Sequence, residues 1–340
     1  MRGGPAAATT GTMEKKVPLS GEKLIYQARM LLIGATVLWG LSFPLLRGLE
    51  LAQQASAPHV SNFTVACADM AMRFGLSALL LLPFLGRNLL NATWREWSQA
   101  IGLGLLAGGG LYLQTLGLAW TDASITAFLT QLYTLIVPII VAVRDWRLPT
   151  IRVSVACVMV LLGAAMLSPG LLTHFVLGTG EWVIILSTCF IATQIVWLER
   201  PIYAENRTGL VTLIMFMILA CIFSFGYFMT GGTGSTTIQL FWSPALSLMS
   251  VALVLFCTAT NFLIMNAWQR CVSATEAGVI YCIEPVIATV LSAFLPGWIS
   301  RLAGIDYPNE ALTWSLLAGG LLIISATILV ATQRRTAEQP

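Results

Sequence analysis

Ten long apolar runs separated by short polar breaks fill most of this 340-residue chain. They lie at 30–47, 66–86, 98–119, 123–143, 152–170, 182–198, 209–229, 245–268, 274–295 and 312–332. A helix needs roughly 20 apolar residues to cross about 30 Å of hydrocarbon, and the runs approach that length one after another. With 57% hydrophobic and only 10% charged residues, the chain reads as an all-α membrane protein with ten transmembrane helices, not as a soluble domain.

The basic residues give an independent test, because short inside-facing loops collect Lys and Arg. Arg2, Lys15, Lys16, Lys23 and Arg29 precede the first run; Arg87 and Arg95, then Arg144, Arg147 and Arg152, then Arg200 and Arg207, then Arg270, and finally Arg334 and Arg335 fall at alternate junctions. Only Arg47 and Arg301 lie at the opposite junctions, and Arg73 lies within a run. That alternation needs an even number of spans with both termini cytoplasmic. Residues 1–29 lack the uninterrupted apolar core of a signal peptide and read as a cytoplasmic tail, as do 333–340. A bacterial inner membrane is the first expectation, although an organellar or eukaryotic carrier would show the same charge distribution.

Local chemistry supports the junctions. Ser243-Pro244 has a cap residue followed by proline at the first helical position. Ser273 and Glu276 are spaced as a capping box, which favours Glu276 as a cap over a substrate ligand. Thr121-Asp122 reads as a cap in a very tight turn between the third and fourth spans. Seven cysteines show no CxxC spacing and fall mainly in apolar runs, so they read as small hydrophobes. His59 and His174 sit in outside-facing junctions, and no zinc spacing or Walker sequence occurs. The expectation is a non-enzyme with no cofactor and no nucleic-acid partner, contacting membrane lipid and a small organic substrate, as a monomer or a homodimer.

Sliding the second half on the first at an offset of 151 residues sets Asp122 opposite Ser273, Thr126 opposite Ala277 and Tyr133 opposite Glu284. Two units of five spans follow, at 30–170 and 182–332. Because five is odd, the two units cross the membrane in opposite directions, and inverted repeats of this kind supply two conformations open to opposite faces. A carrier fits this design better than a channel-like protein or a non-transport scaffold or receptor.

Particular residues strengthen the comparison. The first half carries Trp39-Gly40 with Ser42 and Phe43, Arg73-Phe74, and Ala119-Trp120-Thr121-Asp122-Ala123 followed by Leu132-Tyr133, and the second carries Ala267-Trp268-Gln269-Arg270, Ser273-Ala274-Thr275-Glu276-Ala277 and Glu284-Pro285-Val286. Over residues 30–332 this pattern resembles the EamA-like branch of the drug/metabolite transporter (DMT) superfamily. The resemblance implies two five-helix EamA-like repeats around a central polar cavity, and often outward movement of amino acids, drugs or other small metabolites. The chain departs from the family in having Thr134 where the first repeat usually carries proline, with Pro138 one turn later. The usual acid at the end of the fourth span is replaced or displaced by Arg144-Asp145-Trp146-Arg147, and the end of the ninth, Phe294-Leu295-Pro296-Gly297-Trp298, has none, which puts a mechanism through such carboxylates in doubt.

Charged and polar groups inside hydrocarbon are costly and mark candidate sites. Glu284 could bind an amine, exchange a proton or pair with Arg73, and Pro285 beside it removes a donor and leaves the Tyr281 carbonyl free. Arg73 could hold a substrate carboxylate, snorkel to water or pair with Asp69. Gln131 and Tyr133 occupy the equivalent span; Gln114, Gln194, Asn261 and Asn266 add further polar groups, with interhelical bonding as the alternative role of each. Trp39, Trp197 and Trp268 could line a cavity, whereas Trp120, Trp146 and Trp298 read as interface anchors. The glycines at 102, 104, 108, 109, 110, 319 and 320 read chiefly as packing sites. Transport would draw on a proton or counter-substrate gradient.

Overall fold

The computed structural model describes residues 21–118, 120–121, 123–167 and 177–332. Asp122, His174 and most of both proposed tails lie outside the described residues, so the Asp122 cap does too. The helices are α1 (Gly21–Ser56), α2 (Asn62–Leu89), α3 (Trp94–Leu118), α4 (Ala123–Thr130), α5 (Tyr133–Asp145), α6 (Ile151–Leu167), α7 (Thr179–Leu198), α8 (Thr208–Met229), α9 (Gly234–Phe241), α10 (Pro244–Ala252), α11 (Asn261–Trp268), α12 (Ala274–Tyr281), α13 (Glu284–Ser292), α14 (Leu295–Ala303) and α15 (Trp314–Ala331). A π-helical stretch, Leu253–Thr260, joins α10 to α11.

Among the described residues, nine helical stretches are long and apolar enough to cross a membrane; α4 with α5, α10 with α11, and α12 with α13 count as single stretches. The expected fifth span, α6, is apolar but only 17 residues long, and its expected continuation to 170 is not described. Helix α1 overshoots its expected limits of 30–47 at both ends, because Glu22, Lys23, Gln27, Gln53 and Gln54 interrupt hydropathy without interrupting helix propensity.

The distribution of side chains suits lipid. Phe225, Phe228, Met229, Val143 and Leu321 are each at least 65% exposed, whereas Thr36, Ser77, Thr188 and Asn261 have no exposed surface. A soluble fold would bear a cost for so greasy an exterior; a bilayer removes it, and Thr36, Thr188 and Asn261 find partners inside. Trp120, Trp146 and Trp298 are exposed, as interface anchors would be. The chain is thus an all-α, multi-pass membrane protein.

Packing is reciprocal. Helix α1 lies against α11 and α13, while α7 lies against α3 and α5. Helix α2 packs on α8, α6 on α15 and α5 on α12. The α6–α15 crossing brings backbones together: a Cβ on Gly163 would stand 2.7 Å from the Gly319 carbonyl oxygen, and one on Gly319 would stand 2.6 Å from that of Gly163. In α3, Gly104 lies under Ile218 and Gly108 under Ile222, in keeping with packing roles.

Caps explain several helix starts. Ser243 Oγ accepts from the Leu246 amide at 3.1 Å, with Pro244 at the first turn. Ser273 Oγ accepts from the Glu276 amide at 3.2 Å. The other half of the expected box is not made, because the Glu276 carboxylate instead takes a 2.5 Å bond from Arg29 Nε on α1. A cation on a neighbouring helix outcompetes a neutral amide for that oxygen.

Candidate functional site

Two helices break in the middle of the bundle. Helix α4 ends at Thr130 and α5 starts at Tyr133; α12 ends at Tyr281 and α13 starts at Glu284. The second break follows from Pro285, which cannot donate, while Cys282 and Ile283 tighten onto Val279 and Ile280 with bonds of 3.2 and 3.1 Å.

The first break has no such proline. There the Thr134 amide tightens onto the Gln131 carbonyl at 3.1 Å, and Thr134 Oγ1 donates to the same oxygen at 2.5 Å, in place of the ordinary helical donor. Pro138 in turn leaves the Thr134 carbonyl without a helical donor, and Cys157 Sγ on α6 donates to it at 3.2 Å. Different residues thus produce the same interruption in the two halves.

The breaks meet. Cys282 Sγ donates to the Tyr133 hydroxyl at 3.5 Å, linking the end of α12 to the start of α5. Tyr133 and Tyr281 are 5% and 3% exposed. Glu284 is half-buried, as is Pro285, and the Glu284 carboxylate makes no hydrogen bond or ion pair with a described residue. Its expected pairing with Arg73 does not form. Gln131, within the first break, keeps its Oε1 buried and unpartnered, as do Thr126 Oγ1 on α4 and Ser187 Oγ on α7. Buried polar atoms are nearly always bonded, so these three stand out as polar groups beside the first break.

Trp39 sits beside this centre. With its amide oriented to satisfy both neighbours, Asn261 donates to the Ala35 carbonyl at 3.2 Å and accepts from Trp39 Nε1 at 2.8 Å. The indole also meets Phe262 and Tyr281 edge to face, with ring centres 5.6 and 5.5 Å away. Tyr281 donates to Gln269 Oε1 at 2.8 Å, and Gln269 Nε2 to the Ile195 carbonyl at 2.8 Å. Trp39, Asn261 and Tyr281 are therefore one assembly, with Tyr133 and Glu284 at its edge.

The other candidates are scattered. Gln114 Nε2 donates to Thr130 Oγ1 at 2.9 Å, where α4 ends. Asn266 Nδ2 donates to Thr212 Oγ1 at 2.9 Å, leaving its Oδ1 buried and unpartnered. Gln194 is half-buried on α7. Trp197 packs on Tyr203 and under the Arg200 guanidinium, and its ring covers Gly102. Trp268 is half-buried against the main apolar core.

Arg73 is 5% exposed and does not pair with Asp69; its Nε donates to Thr258 Oγ1 in the π-helical stretch at 3.0 Å. Asp69 is instead bonded by Gln53. Sequence reading missed Gln53, Thr258 and Phe262. Gln53 lay beyond the expected end of the first span, and nothing in local composition marks a π-helix.

Each end of the bundle carries a closing contact. At one, Arg29 on α1 holds Glu276 at the start of α12; at the other, Thr121, just before α4, donates to the Glu181 carboxylate on α7. Among the described residues no group of three or more His, Cys, Asp or Glu could hold a metal ion.

No family model matches the chain. An "Uncharacterized transporter" of Archaeoglobus fulgidus is 24% identical over 310 residues, spanning 91% of this chain and 87% of its own. A solved structure, described only as the crystal structure of a protein, aligns with a TM-score of 0.64 at 16% identity, covering 89% of this chain and 96% of that one, which speaks to the fold. The chain is a multi-pass, all-helical membrane protein distantly related to an uncharacterized transporter.

Proposed function

We propose that the chain is a secondary carrier of the EamA-like, drug/metabolite transporter type, exporting a small organic metabolite, amino acid or drug-like compound by alternating access. The observation that carries the reading is the pair of touching helix breaks. Thr130 and Tyr281, like Tyr133 and Glu284, are separated by 151 residues, the offset at which the two halves of the sequence align. Broken helices in corresponding positions of two repeats are the usual pointer to a carrier's central site, since an interrupted backbone offers polar groups to cargo.

Two inverted five-helix units, 30–170 and 182–332, with α6 as the fifth of ten spans, account for the reciprocal packing. They also account for the closing contacts, each of which joins the first helix of one unit to the fourth span of the other. The basic junctions assign the Arg29–Glu276 contact to the cytoplasmic face and the Thr121–Glu181 contact to the outside. Glu284, Tyr133, Gln131, Tyr281 and the Trp39–Asn261 pair are the groups proposed to meet cargo; a bacterial inner membrane is the proposed location.

The test is uptake into vesicles containing the purified protein, with labelled amino acids, small amines, nucleosides, sugars and amphipathic drugs, each with and without a proton gradient. Saturable flux is expected for at least one class. Glu284→Gln should insert normally and lose at least about tenfold in that flux, a loss of roughly 1.4 kcal/mol in transition-state terms. Conductance that does not saturate would establish a channel, and no flux under any gradient would leave a scaffold.

A further inference from the structure

A second polar assembly lies away from the helix breaks, where α1 approaches α2. Gln53 and Asp69 are both completely buried. Gln53 Nε2 donates to Asp69 Oδ1 at 2.7 Å and to the Leu240 carbonyl at 3.4 Å. The remaining oxygens of the pair, Gln53 Oε1 and Asp69 Oδ2, are both without a partner. Both are acceptors, so neither can satisfy the other. Arg73, one turn further along α2, is hydrogen-bonded to Thr258 and makes no hydrogen bond or ion pair with the carboxylate, which it faces only at longer range.

An ionised carboxylate that is completely buried, with one neutral hydrogen bond and no ion pair to a cation, is a costly arrangement. One proton on Asp69 Oδ2 resolves both deficits together. It converts that oxygen into a donor, and a carboxylic acid beside a primary amide can close a ring of two hydrogen bonds, Nε2–H to Oδ1 and Oδ2–H to Oε1. No other protonation in the neighbourhood would satisfy two orphaned oxygens at once.

We propose that the Asp69–Gln53 pair is a buried proton-binding site, loaded as an acid–amide ring and unloaded when Arg73 leaves Thr258 for the bare carboxylate. The coupling function rests on the carrier reading above. Thr258 donates to the Leu253 carbonyl at 2.9 Å within the π-helical stretch, which runs directly into Asn261 and Phe262, the residues that hold Trp39. Movement of Arg73 therefore reaches the centre through one continuous segment.

The charged and titratable groups around the pair are few. Helix α1 contributes Glu50 and Arg47, 3.7 Å apart, whose side chains are 28% and 55% exposed, and Tyr307, beyond α14, lies beside them. Helix α2 contributes Arg73 and Cys67, the π-helical stretch Cys257, α3 Tyr112 and α8 Tyr227, whose hydroxyl donates to the Thr233 carbonyl at 2.8 Å. Helices α9 and α10 have no titratable side chain.

The test is infrared difference spectroscopy of the full-length protein in lipid vesicles across a pH titration. The expected result is a protonated-carboxyl carbonyl band that titrates, disappears in Asp69→Asn and persists in Glu284→Gln. In Gln53→Leu the band should move to higher frequency, because the carbonyl loses its amide donor. That variant keeps the carboxyl and so stands even if Asp69→Asn fails to fold. A titration with no such band, a band unchanged in Asp69→Asn, or a band unmoved in Gln53→Leu would overturn the proposal. The band is read without any cargo, so a missing band defeats the proton site while saturable uptake would still uphold the carrier.

Discussion

Asn261 carries more of the centre than its neutral side chain suggests. Its amide bonds Ala35 on one side and the Trp39 indole on the other, and Asn261 is completely buried. Asn261→Leu should leave the indole N–H without an acceptor, at a cost of about 1–3 kcal/mol, seen as a lower unfolding midpoint in detergent. Trp39→Phe removes the donor as well, so the double variant should recover part of that loss. Trp39, Asn261, Tyr133 and Glu284 were all legible in the sequence as polar or aromatic groups within apolar runs. Their grouping was not, because which face of a helix meets which neighbour depends on crossings that no local pattern encodes. The same reason hid the partners of Arg73 and Glu276: both were paired in the sequence reading with nearby residues, and both reach another helix instead.

At the scale of the helix, the two breaks were half visible. Pro285 announces the second, whereas the first depends on a threonine hydroxyl turning back on Gln131, a choice that the residue type permits without requiring. Pro285→Ala restores a backbone donor and should allow α12 and α13 to fuse, leaving thermal stability equal or higher while transport falls. An uptake assay beside a melting curve separates these effects. The α6–α15 crossing gives an opposite expectation. Gly319→Ala would place a methyl against the Gly163 carbonyl, forcing the helices apart at a cost of about 1–3 kcal/mol. Gly75→Ala, whose new methyl would meet nothing nearer than 3.9 Å, is the control and should melt as the parent does.

For the molecule as a whole, hydropathy and charge marked most spans within a few residues, since lipid thickness imposes a length that any sequence must meet. The short helices α9 and α14 escaped notice because they are too brief and too amphipathic to register as spans. Closing contacts at both ends yield a further expectation. Glu276→Gln removes the charge that holds Arg29, so a cysteine placed near Tyr281 should react faster with a membrane-impermeant thiol reagent added from the face that carries Arg29. An unchanged labelling rate would show that this ion pair does not close that face.

Helix α1 runs for 36 residues, about 54 Å at ~1.5 Å per residue, with Pro44 inside it. The ion pair at Arg29 lies ~15 Å from Trp39 in one direction, and Gln53 lies ~21 Å away in the other. Pro44 removes a ladder bond between Trp39 and Gln53, so the indole is joined to the ion pair by uninterrupted helix and to Gln53 through a hinge. A proton loaded on Asp69, which Gln53 holds, would then be felt at the indole across that hinge, whereas the grip on Arg29 would be felt there directly.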